Sequence, residues 1–116
     1  MSELGSEVID RFYECMAGGD LDALMELYVS DALVIRFDGA SAGVSEIRAF
    51  LTEVLERHQP YVLHSIDQVT RVGDVLMWDA MVNTSNGIIQ TTEVLVLDDA
   101  GKITRHIPGV RGYWGL

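Results

Sequence analysis

Three turn signals divide the second half of the chain: Gly73-Asp74, Asn86-Gly87 and Asp99-Ala100-Gly101. They separate runs at about 61–72, 75–84, 88–97 and 102–110, each of strand length and rich in apolar residues. Asn and Gly accept the positive φ of a tight hairpin, and Asp favours reversals, so successive runs fold back on one another. The first half reads differently. Leu4, Val8, Phe12 and Cys15/Met16 recur at helical spacing, and Gly18-Gly19 ends that helix. Asp20 is placed to cap a second helix with Leu21, Leu24, Met25 and Tyr28 on its apolar side. A strand at Leu33–Phe37 follows. A third helix opens near Gly43-Val44-Ser45, carries Ile47, Phe50, Leu51, Val54 and Leu55, and is barred from continuing by Pro60. Helices first and a strand meander after them predict an α+β fold in one domain spanning 1–116.

Composition narrows the partners. The chain carries 18 acids against 8 Lys plus Arg, a net charge of −10. Phosphate backbones and anionic membranes are repelled, and no basic cluster offsets this, so neither nucleic acid nor membrane is expected as a partner. Cys15 is the one cysteine, which rules out an internal disulfide; three residues after Phe12, it suits a small buried side chain. No basic-then-apolar leader and no long apolar run is read, and a cytoplasmic protein is expected. No His/Cys/Asp spacing of the usual metal-binding kind occurs, and no phosphate-binding glycine loop, so no cofactor or metal is expected.

The order of elements, with the Gly-Asp-Leu-Asp turn at Gly19–Asp22, the Ile-Arg-x-Phe helix at Ile47–Phe50 and the Gly-Lys-Ile turn at Gly101–Ile103, resembles the nuclear transport factor 2-like fold over roughly residues 6–115. The resemblance implies a cystatin-like cone: a curved, mainly antiparallel sheet of four long strands and a short one, wrapped around three helices from the N-terminal half. Ketosteroid isomerases, SnoaL-like polyketide cyclases and limonene epoxide hydrolases are its enzyme branches. In outline the chain is most similar to the isomerases. That family's oxyanion tyrosine falls on Phe12, its base on Arg36 and its protonated acid on Glu93, so only a carboxylic acid is retained and steroid isomerisation by that mechanism is not expected. The same alignment implies a pocket lined by Tyr28, Arg36, Asp38, Phe50, Asp79, Met81, Asn83, Glu93, Leu95, His106, Pro108 and Val110.

Strand parity bears on that pocket. In 75–83, Val75, Met77, Asp79, Met81 and Asn83 share one face, and Leu76, Trp78, Ala80 and Val82 the other. Both are substantially apolar. With the first face assigned to the pocket, the face bearing Leu76, Trp78, Ala80 and Val82 needs cover, which in this fold family is commonly a second subunit's sheet, so a homodimer through it is expected.

Glu93 has support beside the resemblance. It lies in phase with Ile89, Leu95 and Leu97, a carboxyl on an apolar strand face, where burial raises a carboxyl pKa and a nearby cation lowers it. The alternative reading turns Thr92, Val94 and Val96 to the core and Glu93 to solvent. Arg36 shares a face with Val34 and Asp38; inside, it needs a carboxylate, and Asp79 or Glu93 could serve. Arg36 flanked by acids resembles the Asp-Arg-Asp site of the epoxide hydrolases, but that family's Arg-x-Asp falls on Asp79-Ala80-Met81 and its last Asp on Pro108; a structural pair or a solvated arginine is the other reading. His64 sits in a context similar to a histidine of scytalone dehydratase, another enzyme of this fold. His106 shares its face with Val110, His58 suits a helix end, and a satisfied, partly buried ring is the bland reading of His64 and His106. Tyr113 and Trp114 suit closing the cone or padding an interface. The residues together point to a cofactor-independent acid/base enzyme acting on a small apolar molecule: Glu93 at its centre, His106, Asp79 or His64 as partner, Arg36 as stabiliser. A non-catalytic ligand-binding or dimerisation module is the competing reading.

Overall fold

A computed structural model describes the backbone of residues 2–114 and the side chains of residues 7–114. Leu4, assigned above to the apolar side of the first helix, lies outside the described side chains. The elements run α1 (Ser2–Gly18), α2 (Leu21–Met25), β1 (Tyr28–Arg36), β2 (Gly39–Ala42), α3 (Gly43–His58), β3 (Tyr61–Val72), β4 (Val75–Thr84), β5 (Gly87–Leu97) and β6 (Ile103–Trp114). The strands form one curved, unclosed sheet in the order β2-β1-β6-β5-β4-β3. All neighbours are antiparallel except β1 and β6, which run parallel. Register shifts in β1/β6, β3/β4 and β5/β6 mark bulges, which bend strands and increase their twist.

Local chemistry sets the element ends. Gly19 takes φ +67° and closes α1 with paired bonds: its own amide donates to Met16 O at 3.3 Å, and the Asp20 amide to Cys15 O at 2.9 Å. Asp20 Oδ1 accepts from the Ala23 amide at 3.1 Å and starts α2. α2 lasts only five residues, so Tyr28 belongs to β1 rather than to a helix face. At the head of α3, Glu46 Oε1 accepts from the Ala42 amide at 2.7 Å. The first strand is longer than the residues suggest, a second short strand, β2, pairs with it, and β6 continues through Tyr113 to Trp114.

α1 presents Val8, Ile9, Phe12, Tyr13 and Met16, and α3 presents Ile47, Leu51 and Leu55, to the concave side of the sheet. The strands answer with Val34, Leu76, Trp78, Ala80, Val82, Leu95 and Leu97. This reverses the face of β4 that the family alignment assigned to the pocket. Trp78 is 1 % exposed and Met77 is 43 % exposed, so Leu76, Trp78, Ala80 and Val82 form the inner face and Val75, Met77, Asp79, Met81 and Asn83 the outer one. No second subunit can cover residues already under α1. The indole fixes the choice: Trp78 Nε1 donates to Tyr13 Oη at 2.9 Å, and the two rings meet edge to face, 6.3 Å between centroids.

Trp78→Ala therefore acts on the core. It should lower stability by about 3–5 kcal/mol, the usual cost of truncating a buried aromatic. Urea denaturation reads this; an unchanged midpoint would return Trp78 to the outside of the sheet.

Candidate active site

The concave sheet, α1 and α3 leave a cavity of about 330 Å³ between them. Its walls are Phe12, Met16, Phe50, Leu51, Val54, Tyr61 and Ile89; Arg36, Phe37, Asp38, Arg57, His58 and Tyr113 also border it. Glu93, Thr91, His106, Pro108 and Val110 enter from β5 and β6. Register explains this grouping. Glu93 lies opposite Pro108, Thr91 opposite Val110 and Leu95 opposite His106, and opposed residues share a face.

Glu93 is 4 % exposed and His106 is 1 % exposed. Glu93 Oε1 lies 2.7 Å from His106 Nε2, and His106 Nδ1 lies 2.9 Å from Tyr28 Oη. Counting donors assigns the protons. A phenol has one hydrogen and an ionised carboxylate none, so every group is satisfied when Tyr28 O–H donates to Nδ1 and Nε2–H donates to Glu93. Burial, and then the Glu93 charge, hold the Tyr28 phenol far above its ordinary pKa and so keep its proton in place. Phe12 packs edge-on against the imidazole at 5.6 Å. Oε1 is thus committed, while Oε2 has no partner among the described residues and belongs to a side chain lining the cavity.

Arg36 does not reach Glu93. Its Nε donates to Asp38 Oδ1 at 3.1 Å, its Nη1 to Ser41 Oγ at 2.8 Å, and its guanidinium lies 4.6 Å from the Phe50 ring centroid. It is a rim cation held by its own strand and the next. His58 closes the C-terminus of α3 together with Asn86, whose amide nitrogen donates to Arg57 O at 2.7 Å and to His58 Nδ1 at 3.2 Å. Burial, and then Arg57, lower the His58 pKa.

Of the residues expected in the pocket, Arg36, Asp38, Phe50, Glu93, His106, Pro108 and Val110 line the cavity. Tyr28 lies behind it as the anchor of His106, and Leu95 is buried in the core beside them. Asp79, Met81, Asn83 and His64 are elsewhere. Asp79 is on the convex face, where Thr92 Oγ1 donates to it at 2.7 Å and Arg111 lies 3.5 Å away. Met81 follows the outer parity of β4. Asn83 Nδ2 lies 3.5 Å from His64 Nδ1, at an exposed position. The family alignment places Asp79, Met81 and Asn83 in the pocket, and His64 rests on a single matched histidine. Thr91 and Tyr61 were missed. Thr91 had a signal, since it is two residues from Glu93 on one strand face; Tyr61 opens β3 and nothing in its neighbours distinguishes it. Among the described residues, no group of three His, Cys, Asp or Glu could hold a metal ion, and no helix is long and apolar enough to cross a membrane.

Comparison with known proteins agrees with this architecture. A family profile described as SnoaL-like domain matches residues 9–106, so the chain belongs to the SnoaL-like domain family. No curated protein matches it. Among solved structures, it is similar to a candidate polyketide cyclase from Sinorhizobium meliloti at 22% identity, covering 88% of this chain and 93% of that one with a TM-score of 0.76. A SnoaL-like protein of unknown function from Burkholderia thailandensis gives 12% identity, coverages of 97% and 98%, and a TM-score of 0.80. An NTF2-like protein from Anabaena variabilis gives 14%, 95% and 88%, and 0.84. At these identities the likeness is one of fold.

The buried phenols make stability alkali-sensitive. Burial first, with the Glu93 charge adding, raises the pKa of Tyr13, Tyr28 and Tyr61 above the ordinary 10.0. Above that value the unfolded chain releases protons that the folded chain keeps, so stability falls as pH rises. The expected slope is roughly 1.4 kcal/mol per pH unit for each phenol. Denaturant melts above pH 10.0 should show it, with phenolate absorbance from these three appearing only on unfolding; a flat profile would mean that they are solvated.

Proposed function

We propose that this protein is a cofactor-independent acid/base enzyme acting on a small, largely apolar molecule, with Glu93 as the proton-transfer group. One observation supports this most: a carboxylate inside an apolar cavity, with one oxygen held by His106 and the other uncommitted. In this reading Oε2 takes a proton from the bound molecule and can return it at another position. His106 Nε2–H orients the carboxylate and Tyr28 fixes the imidazole tautomer. Exclusion of water strengthens each of these contacts. Isomerisation, cyclisation, dehydration and hydrolysis all use such a group, and the structural likeness to a candidate polyketide cyclase is in keeping with it. Arg36, tied to Asp38, Ser41 and Phe50, is left to attract or orient a ligand at the rim.

The alternative is a ligand-binding module of the same fold. The two differ in what Glu93→Gln does. Against small apolar ketones, epoxides and alcohols screened for turnover by mass spectrometry, an enzyme should lose about 10²–10⁴-fold in rate. A binding module should show saturable binding without turnover, with affinity unchanged to within about threefold.

We also propose that self-association, if this chain uses the sheet, involves the convex face. Met77, Val94 and Ile107 lie side by side on β4, β5 and β6, with Val75 and Val96 in the adjoining row. Met77→Lys combined with Val94→Lys should convert a dimer into a monomer in sedimentation velocity without altering the melt. A wild-type chain that stays monomeric at high concentration would remove this proposal.

A further inference from the structure

The Thr91 hydroxyl is buried, at 4 % exposure, and Oγ1 has no hydrogen-bond partner among the described residues. Buried hydroxyls are nearly always paired, because leaving one unpaired forfeits its hydration. Its cross-strand neighbours cannot satisfy it, since Thr91 lies opposite Ala80 and Val110, both apolar. Tyr13, whose oxygen accepts from Trp78, is the polar side chain beside it, but the two hydroxyls are not in hydrogen-bonding geometry. Thr91 lines the same cavity as Glu93, two residues along one strand face. Tyr61 lines it too, and its phenol makes no hydrogen bond among the described residues. Buried beside Glu93, that phenol keeps its proton, so it offers a donor.

From these features we infer that Thr91 and Tyr61 form an oxygen-binding seat, which selects a neutral, compact, apolar molecule bearing a carbonyl oxygen. The inference rests on the cavity being a ligand site, as proposed above. A carbonyl has two lone pairs and no proton of its own, so it can accept from both hydroxyls and brings no donor needing a partner. An anionic oxygen is disfavoured, because the Glu93 carboxylate is close by in a low-dielectric site. Thr91 and Tyr61 are positioning residues: they fix which part of the molecule faces Oε2.

The test compares indanone with indane, the same ring skeleton with and without the oxygen, by titration calorimetry. The wild-type protein should bind indanone about tenfold more tightly than indane, the worth of a net hydrogen bond. Thr91→Val should reduce that ratio to about twofold while leaving indane binding unchanged, and Tyr61→Phe should give an intermediate ratio. Thr91→Val should also raise Tm, by about 3–6 °C, since it removes an unsatisfied buried group; a structural role for the hydroxyl would lower it. Val54→Trp, which fills the cavity, should abolish binding of both compounds. A ratio that survives Thr91→Val, or a lowered Tm in that variant, overturns the inference. Equal binding of the two compounds by the wild type overturns it and leaves the cavity as a ligand site. Binding of neither removes both.

Discussion

A carboxylate inside an apolar cone is tolerable only with a partner, and the rest of the site follows from how Glu93 obtains one. An isolated buried charge would be expelled or neutralised, so His106 at 2.7 Å is a requirement of the fold as much as a feature of its chemistry. The imidazole in turn needs its second nitrogen satisfied, and Tyr28 does this from β1. Three strands are thereby committed: β5 supplies the acid, β6 the ring and β1 the phenol. The helices then have one remaining task, to cover this chain of groups with Phe12, Leu51 and Val54 while leaving room above it.

Arg36 illustrates the complementary economy. A guanidinium near a buried carboxylate would be expected to pair with it, and the sequence offers that pairing. The structure satisfies Arg36 locally instead, through Asp38, Ser41 and the Phe50 face. Glu93 is left with the His106 ring as its partner rather than a guanidinium.

How far the sequence carries this picture depends on the strand. β5 sets Ile89, Thr91, Glu93, Leu95 and Leu97 on one face, so period two groups the carboxyl with apolar residues, while Thr92, Val94 and Val96 on the other face left the inward side for the fold to decide. β4 is apolar on both faces, and alternation cannot then say which is inner. The deciding contact, Trp78 to Tyr13, joins residues 65 apart and has no local trace. The family alignment places Asp79, Met81 and Asn83 in the pocket, and alternation in β4 cannot correct it. The helix caps at Gly19 and Asp20 and the Asn86-Gly87 turn were legible because their chemistry is local. The choice of His106 over His64 and Asp79 was not, since it needs the β5–β6 register.

The parallel pairing of β1 with β6 has a consequence for assembly. In chain order β6 comes last, yet it sits in the interior of the sheet, between β1 and β5. Until it is inserted, two apolar strand edges stand open, and Tyr28 waits for a ring 78 residues downstream. The sheet therefore cannot be built in chain order by adding strands outward from β1 and β2. It closes by a long-range docking event, of the kind that slows folding and lengthens exposure of sticky edges. During synthesis the nascent chain would hold a split sheet until β6 left the ribosome, and the contact chain from Glu93 through His106 to Tyr28 would come into being with that insertion.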